Sequence, residues 1–246
     1  MVHLPASSSF PETRWTLVLR ARGNASQVSV QRALGELCRE YWYPLYAYAR
    51  RRGKGVEDAE DATQGFFSYL LARNLFADAE REFGRLRTFL LTAFQRYLAG
   101  EWDRERAQKR GGDREVLSLD AEAGEARYGG ELIDTLTPEK LFERSWAHTV
   151  LHSALRSLAA AETEAGRGAA FGELEVFLSP ESAGEADYTQ AAGRLGLRED
   201  AVRQAVSRLR GKFREHLRRQ IADTLRDPNA AQIEDELASL RAALRY

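Results

Sequence analysis

Residues 188–214 read YTQAAGRLGLREDAVRQAVSRLRGKFR, and this stretch decides the fold. Ala192 and Leu195 fall on one side of a short predicted helix. Gly196 follows, a residue free to take the left-handed backbone that a tight turn needs. Leu197 is expected to plug the angle between this helix and the next. Val202 and Val206 then bury the inner face of a long second helix, which leaves an outer face free. Two helices, a tight turn and a small residue at the crossing make a helix-turn-helix.

The free face is basic. Between Tyr188 and Gln220 there are nine basic and three acidic residues, a net of +6. Such a segment on a helical hairpin suits DNA phosphates. Arg203, Gln204, Ser207 and Arg208 lie near the start of the second helix, where major-groove readers sit. Arg pairs bidentately with guanine and Gln with adenine. Lys212 and Arg214 suit phosphate or solvent. The competing reading is a solvated amphipathic helix carrying surface arginines.

The whole chain has 246 residues, enough for one or two domains, and a formal charge of −1. A uniformly basic coat and an acidic solvating tail are thereby excluded. With 37 Ala against 13 Val plus Ile, composition favours helix over strand. The expected class is all-α: an N-terminal helical bundle and a C-terminal helix-turn-helix domain joined by a flexible linker. One cysteine, Cys38, excludes a disulfide framework and multi-cysteine metal sites. Cys38 is expected to be buried on a helix. No signal peptide or membrane span is visible, so a cytoplasmic protein is expected.

Organisation follows from periodicity. Residues 1–25 form an arm, with a short helix expected from Thr13 to Arg22. A helical pattern from Ser26 to Arg52 contains Pro44, which should bend or break it; Gly53 and Gly55 end it. Further helices are expected at Val56–Arg73, with acidic residues in its first turn where the dipole favours them, and at about Gly84–Lys109. Residues 26–110 form the first domain. Residues 111–137 are glycine-rich and aperiodic, and 115–143 carries eight acidic against two basic residues, so this is the linker. The second domain is 138–226. It holds a helix from Pro138, after Thr137 as N-cap, to about Glu164. A short helix follows at Ala170–Leu178, then a loop over 179–187, the helix-turn-helix, and a helix ending near Leu225. A tail, 227–246, carries a last helix at Ile233–Leu244.

The first domain has its own chemistry. Glu57, Asp58, Glu60, Asp61 and Gln64 crowd a helix start. The next helix interleaves Arg85, Arg87, Arg96 and Arg104 with Phe89, Phe94, Tyr97 and Trp102. Basic groups follow phosphates and rings stack on unpaired bases, a pairing suited to single strands. Phe89, Phe94 and Tyr97 also have the spacing of a core.

These two segments, in this order, resemble bacterial RNA polymerase sigma factors of the extracytoplasmic-function (ECF) type. DAEDATQ at 58–64 resembles their core-binding helix, Phe83 to Arg110 their promoter-melting and −10 region, and 188–214 their −35-reading helix-turn-helix. FPETRW near the start and EWDRERAQKR at 101–110 resemble a long-chain ECF-like group. The resemblance implies that Asp58, Asp61 and Gln64 face the β′ clamp helices of core polymerase. It implies −10 contacts for Arg87, Gln95, Arg96, Trp102 and Arg104. It implies −35 contacts for Arg203, Gln204, Ser207, Arg208 and Lys212. The β flap, promoter DNA and an anti-sigma factor are the other partners it implies, and the acidic linker would thread the polymerase as the family's connector does. Three departures stand out. Gln95-Arg96 replaces the usual Arg-Asn pair, an insertion spans about 165–187, and the arm and tail exceed a minimal member.

Two rivals are weighed. An enzyme could use the 57–61 acidic cluster for Mg²⁺, but hard-cation sites draw carboxylates from several elements. His148 and His152 stand at i, i+4, without the glutamate or third ligand of a zinc helix. Neither a cofactor nor a metal, nor an enzymatic role, is therefore expected. A stand-alone helix-turn-helix regulator would use the same reading helix without polymerase.

Overall fold

The computed structural model describes residues 27–73, 85–107, 124–125, 127–128, 136–178, 187–225 and 228–245. The expected arm at 1–25, the loop over 179–186 and most of the acidic linker lie outside them. The chain is all-α. The described residues form helices α1 (Gln27–Arg51), α2 (Val56–Arg73), α3 (Leu86–Ala107) and α4 (Pro138–Glu164). Then come α5 (Gly168–Leu174), a 3₁₀ turn (Glu175–Leu178), α6 (Tyr188–Leu195), α7 (Glu199–Asp223) and α8 (Ala230–Ala243). No strand occurs among them; a single isolated bridge joins Arg85 and Leu225. No helix among them is long and apolar enough to cross a membrane.

Two compact units emerge. One comprises residues 1–149 with 222–246, the other 150–221. The division differs from the expected segments: the C-terminal helix and the first turns of α4 belong with the N-terminal helices. Buried Ile233, Leu240 and Ala243 anchor α8 there, together with a buried charge cluster. Arg87 of α3, 5% exposed, donates to Glu236 of α8 at 2.8 Å and to Glu143 of α4 at 2.9 Å. Its guanidinium lies 4.3 Å from the centre of the Trp146 ring. The 227–246 segment is thus a structural part of the first unit and not an appended tail.

The first unit's core is aromatic. Residues 41–49 of α1 are all buried, Pro44 included. Pro44 was expected to bend or break the pattern, yet α1 runs through it without interruption. The missing N–H costs one intrahelical bond; burial of Tyr41, Leu45, Tyr46 and Tyr48 on both sides of it offsets that loss. Phe66 of α2 meets Phe94 at 5.0 Å and Tyr97 at 5.6 Å, and Tyr48 meets Phe94 edge-on at 6.1 Å. Cys38 is half-buried on α1, and burial pushes its thiol up to about 11.

Described residues of the expected linker are docked on α1. Glu125 pairs with Arg50 at 2.9 Å and accepts from the Tyr46 hydroxyl. The Arg127 guanidinium lies 3.8 Å from the Tyr43 ring centre. Gly124 is required here, because a Cβ would stand 2.7 Å from a Trp42 ring carbon. The Arg50 guanidinium holds the Glu125 carboxyl below its usual range.

The second unit packs Leu158 of α4, Phe171 and Leu174 of α5 and Phe177 of the 3₁₀ turn against Ala191, Ala192, Val202, Val206 and Leu209. Residues 168–178 therefore build the core that supports the helix-turn-helix. The helix expected at Ala170–Leu178 is present as α5 and the 3₁₀ turn, and it carries core residues of this unit.

Candidate nucleic-acid interface

Helix α7 is set by the turn before it. Asp187 caps α6, its carboxylate accepting from Thr189 N–H at 2.7 Å and Gln190 N–H at 3.3 Å. Gly196 closes the helix at φ +64°, and Leu197 N–H reaches back to the Ala192 carbonyl at 3.0 Å. This 6→1 bond over a left-handed residue is a Schellman closure. Leu197 was expected to plug the helix angle; it is 49% exposed. The closure carries its side chain away from the core, and Ala191, Ala192, Val202 and Val206 fill the angle without it.

On α7, Val202, Val206 and Leu209 point inward. Arg203, Gln204, Ser207 and Arg208 are all exposed, at spacings that put them on the opposite face. Arg203 is held from two sides: Glu199 accepts its Nε at 3.1 Å, and its guanidinium stacks 4.3 Å from the Tyr188 ring centre. Arg208 has no ion-pair partner among the described residues.

The basic excess of the segment is smaller in space than in sequence. Arg194 pairs with Glu173 at 3.0 Å, and Arg210 donates to the Phe177 carbonyl at 3.0 Å. Lys212, expected at the phosphates, lies 2.6 Å from Glu162, which also takes Arg167 at 2.6 Å. The hydrogen bond from Arg167, with Lys212 beside it, holds the Glu162 carboxyl down at about 2. Its ordinary value is 4.5, so the folded chain takes up this proton later than the unfolded chain does. The stabilisation is complete above about pH 4.5 and is lost as pH falls toward about 2. Thermal melts followed by circular dichroism should show a steeper decline across this window for the wild type than for Glu162→Gln. Parallel declines would remove Glu162 from the acid sensitivity.

The first unit presents a second polar surface. Ala59, Ala62, Thr63 and Phe66 bury the inner side of α2, while Asp58 and Asp61 are exposed and Gln64 is half-buried. Glu60 stands among them, its carboxyl pushed up by burial and by Asp61 and Glu57. On α3, Arg96 is exposed, and exposed Gln95 donates to the Tyr48 hydroxyl at 3.0 Å. Arg87 does not share that surface. Its burial and its two carboxylate partners make it a core residue, which removes it from the expected −10 set. Phe89, Phe94 and Tyr97 are buried as well. The side chains of Trp102 and Arg104 lie outside the described residues.

The sequence did hold a signal for the missed cluster. Arg87 interrupts the apolar run Leu86, Phe89, Leu90, and Glu236 stands between Ile233 and Leu240 at helical spacing. Opposite charges on two apolar stripes predict a buried pair. No group of His, Cys, Asp and Glu among the described residues is arranged to hold a metal ion. No family model, curated protein or solved structure matches the chain.

Proposed function

We propose that this protein is an ECF-type sigma factor that binds core RNA polymerase and directs promoter recognition and transcription initiation, with no enzymatic role of its own. The observation that carries the reading is the exposed row Arg203, Gln204, Ser207 and Arg208 on a helix entered through a capped helix and a left-handed glycine. In this reading the row meets the −35 major groove. Asp58, Asp61 and Gln64 meet the β′ clamp helices, and Gln95 and Arg96 meet the melted −10 strand. The separate exposed carboxylates of α2 favour it over a stand-alone regulator, which has no need of an acidic partner surface.

Gel filtration of the purified chain with cognate core polymerase at moderate salt tests the reading. A stoichiometric complex supports it, and Asp61→Arg should weaken that complex by about tenfold or more through like-charge contact. A folded chain that never co-elutes with its core enzyme would sink it in favour of the stand-alone regulator.

Arg208→Ala should lower affinity for the −35 duplex by ~1–3 kcal/mol, the worth of one bidentate base contact. Arg203→Ala should cost less, because forming a base contact there first breaks the Glu199 pair. Competition with scrambled duplex reads the difference. An equal loss on every sequence would make Arg208 a phosphate contact.

A further inference from the structure

A cavity of about 530 Å³ opens in the first unit between α1, the turn after it, α3 and the start of α4. Its volume lies in the range of small-ligand sites. Arg52 and Lys54 line it from the end of α1 and the turn, Gln95 and Leu98 from α3, Glu139 from α4, and Tyr48 from α1. The turn is fixed: Gly53 takes φ +91°, and Arg50 donates to the Lys54 carbonyl at 2.8 Å. The cavity wall is fixed too. Gln95 Nε2 donates to the Tyr48 oxygen at 3.0 Å, and the Tyr48 hydroxyl donates to Glu139 at 3.4 Å.

The charges decide which ligand would fit. Two cations and a carboxylate line one cavity, and among the described residues no ion pair joins Arg52 or Lys54 to Glu139. A simple anion would satisfy the cations and be repelled by Glu139. A simple cation would have the reverse problem. The complement is a molecule with an anionic group, an apolar body for Leu98 and an edge of N–H donors for Glu139. A carboxylate is acceptor-only with two oxygens, and guanine offers it adjacent N1–H and N2–H donors. We propose that this cavity binds a guanosine 5′-phosphate unit, its phosphate on Arg52 and Lys54 and its base edge on Glu139. The unit has two sources, free nucleotide or an unpaired guanosine within a DNA strand.

The free-nucleotide source stands apart from the sigma reading, the strand source rests on it through Gln95, and binding is measured on the chain alone. Isothermal titration of the full chain uses GMP, AMP and two single-stranded 9-mers, all-thymidine and thymidine with one central guanosine. GMP should bind saturably, about tenfold tighter than AMP. Glu139→Gln should erase that preference, and Arg52→Ala/Lys54→Ala should weaken both nucleotides by about tenfold or more. Circular dichroism checks that these variants, changed at the surface, keep the fold. A guanosine-containing 9-mer that outcompetes both GMP and the all-thymidine strand, and loses that advantage in Glu139→Gln, assigns the strand as source. Equal behaviour of the two 9-mers with GMP binding intact assigns the free nucleotide. Absence of saturable binding by GMP and of any guanosine-dependent strand binding overturns the proposal. So does wild-type affinity in all the variants.

Discussion

Glu236→Ala should cost the first unit ~3–5 kcal/mol, the penalty for leaving one half of a buried ion pair without its partner. Arg87 would keep Glu143, which is itself partly exposed, and would lose the carboxylate that is only 1% exposed. Arg85 would lose its weaker 3.6 Å contact as well. Burial pushes the Glu236 carboxyl up and Arg87 pulls it back, so the pair is a balance of desolvation against attraction. That balance has a consequence. Arg87→Met combined with Glu236→Leu and Glu143→Gln should recover most of the loss, since the apolar pair has no desolvation to offset and the third change leaves no carboxylate without its partner. Urea denaturation gives the free energies, with Asp235→Ala, one residue away and exposed, as the neutral control. Protection of α8 amides from hydrogen exchange should fall in the single variant. If Glu236→Ala costs under about 1 kcal/mol, α8 is held by its buried apolar residues and not by this pair.

Phe177→Ala should destabilise the second unit by a similar ~3–5 kcal/mol. The side chain is 1% exposed and packs its ring 4.4 Å from Tyr188, on the helix that leads into the turn. Its carbonyl anchors Arg210 of α7. Against a domain stability of ~5–15 kcal/mol, the loss is large enough to populate the unfolded unit. Val176, the adjacent residue, is 41% exposed, and Val176→Ala should change little. The two substitutions remove apolar groups from neighbouring positions, and only burial separates them. Equal effects would remove Phe177 from the core that holds this unit together.

Much was legible before any coordinates. The helical class, the bounds of α2 and α4 and the turn at Gly196 all follow from local rules: 3.6-residue periodicity, a proline after Thr137, glycine where φ must be positive. The exposed row from Arg203 to Arg208 follows from the same periodicity, because Val202 and Val206 can face only one way. These features depend on residues within a few positions of each other, which sequence displays directly.

Other features depend on residues far apart, and only tertiary structure decided them. Pro44 carries an intrinsic helix-breaking tendency, but burial on both sides outweighs it. Arg87 reads as one of several cations beside aromatic residues, and its fate was set by Glu236, 149 positions away. Lys212 counts toward a basic face until Glu162, 50 positions earlier, neutralises it. Leu197 looks like a core residue by type, yet the Schellman closure turns it outward. Residues 168–178 read as one short helix, and only the packing puts Phe171 and Phe177 beneath the helix-turn-helix. In each case a local preference of a few kcal/mol met a burial or charge-pairing energy of equal or greater size. The sequence by itself determined which helices form and which face of each is apolar. Which partner covers each face, and therefore which charges remain exposed, was decided by the packing.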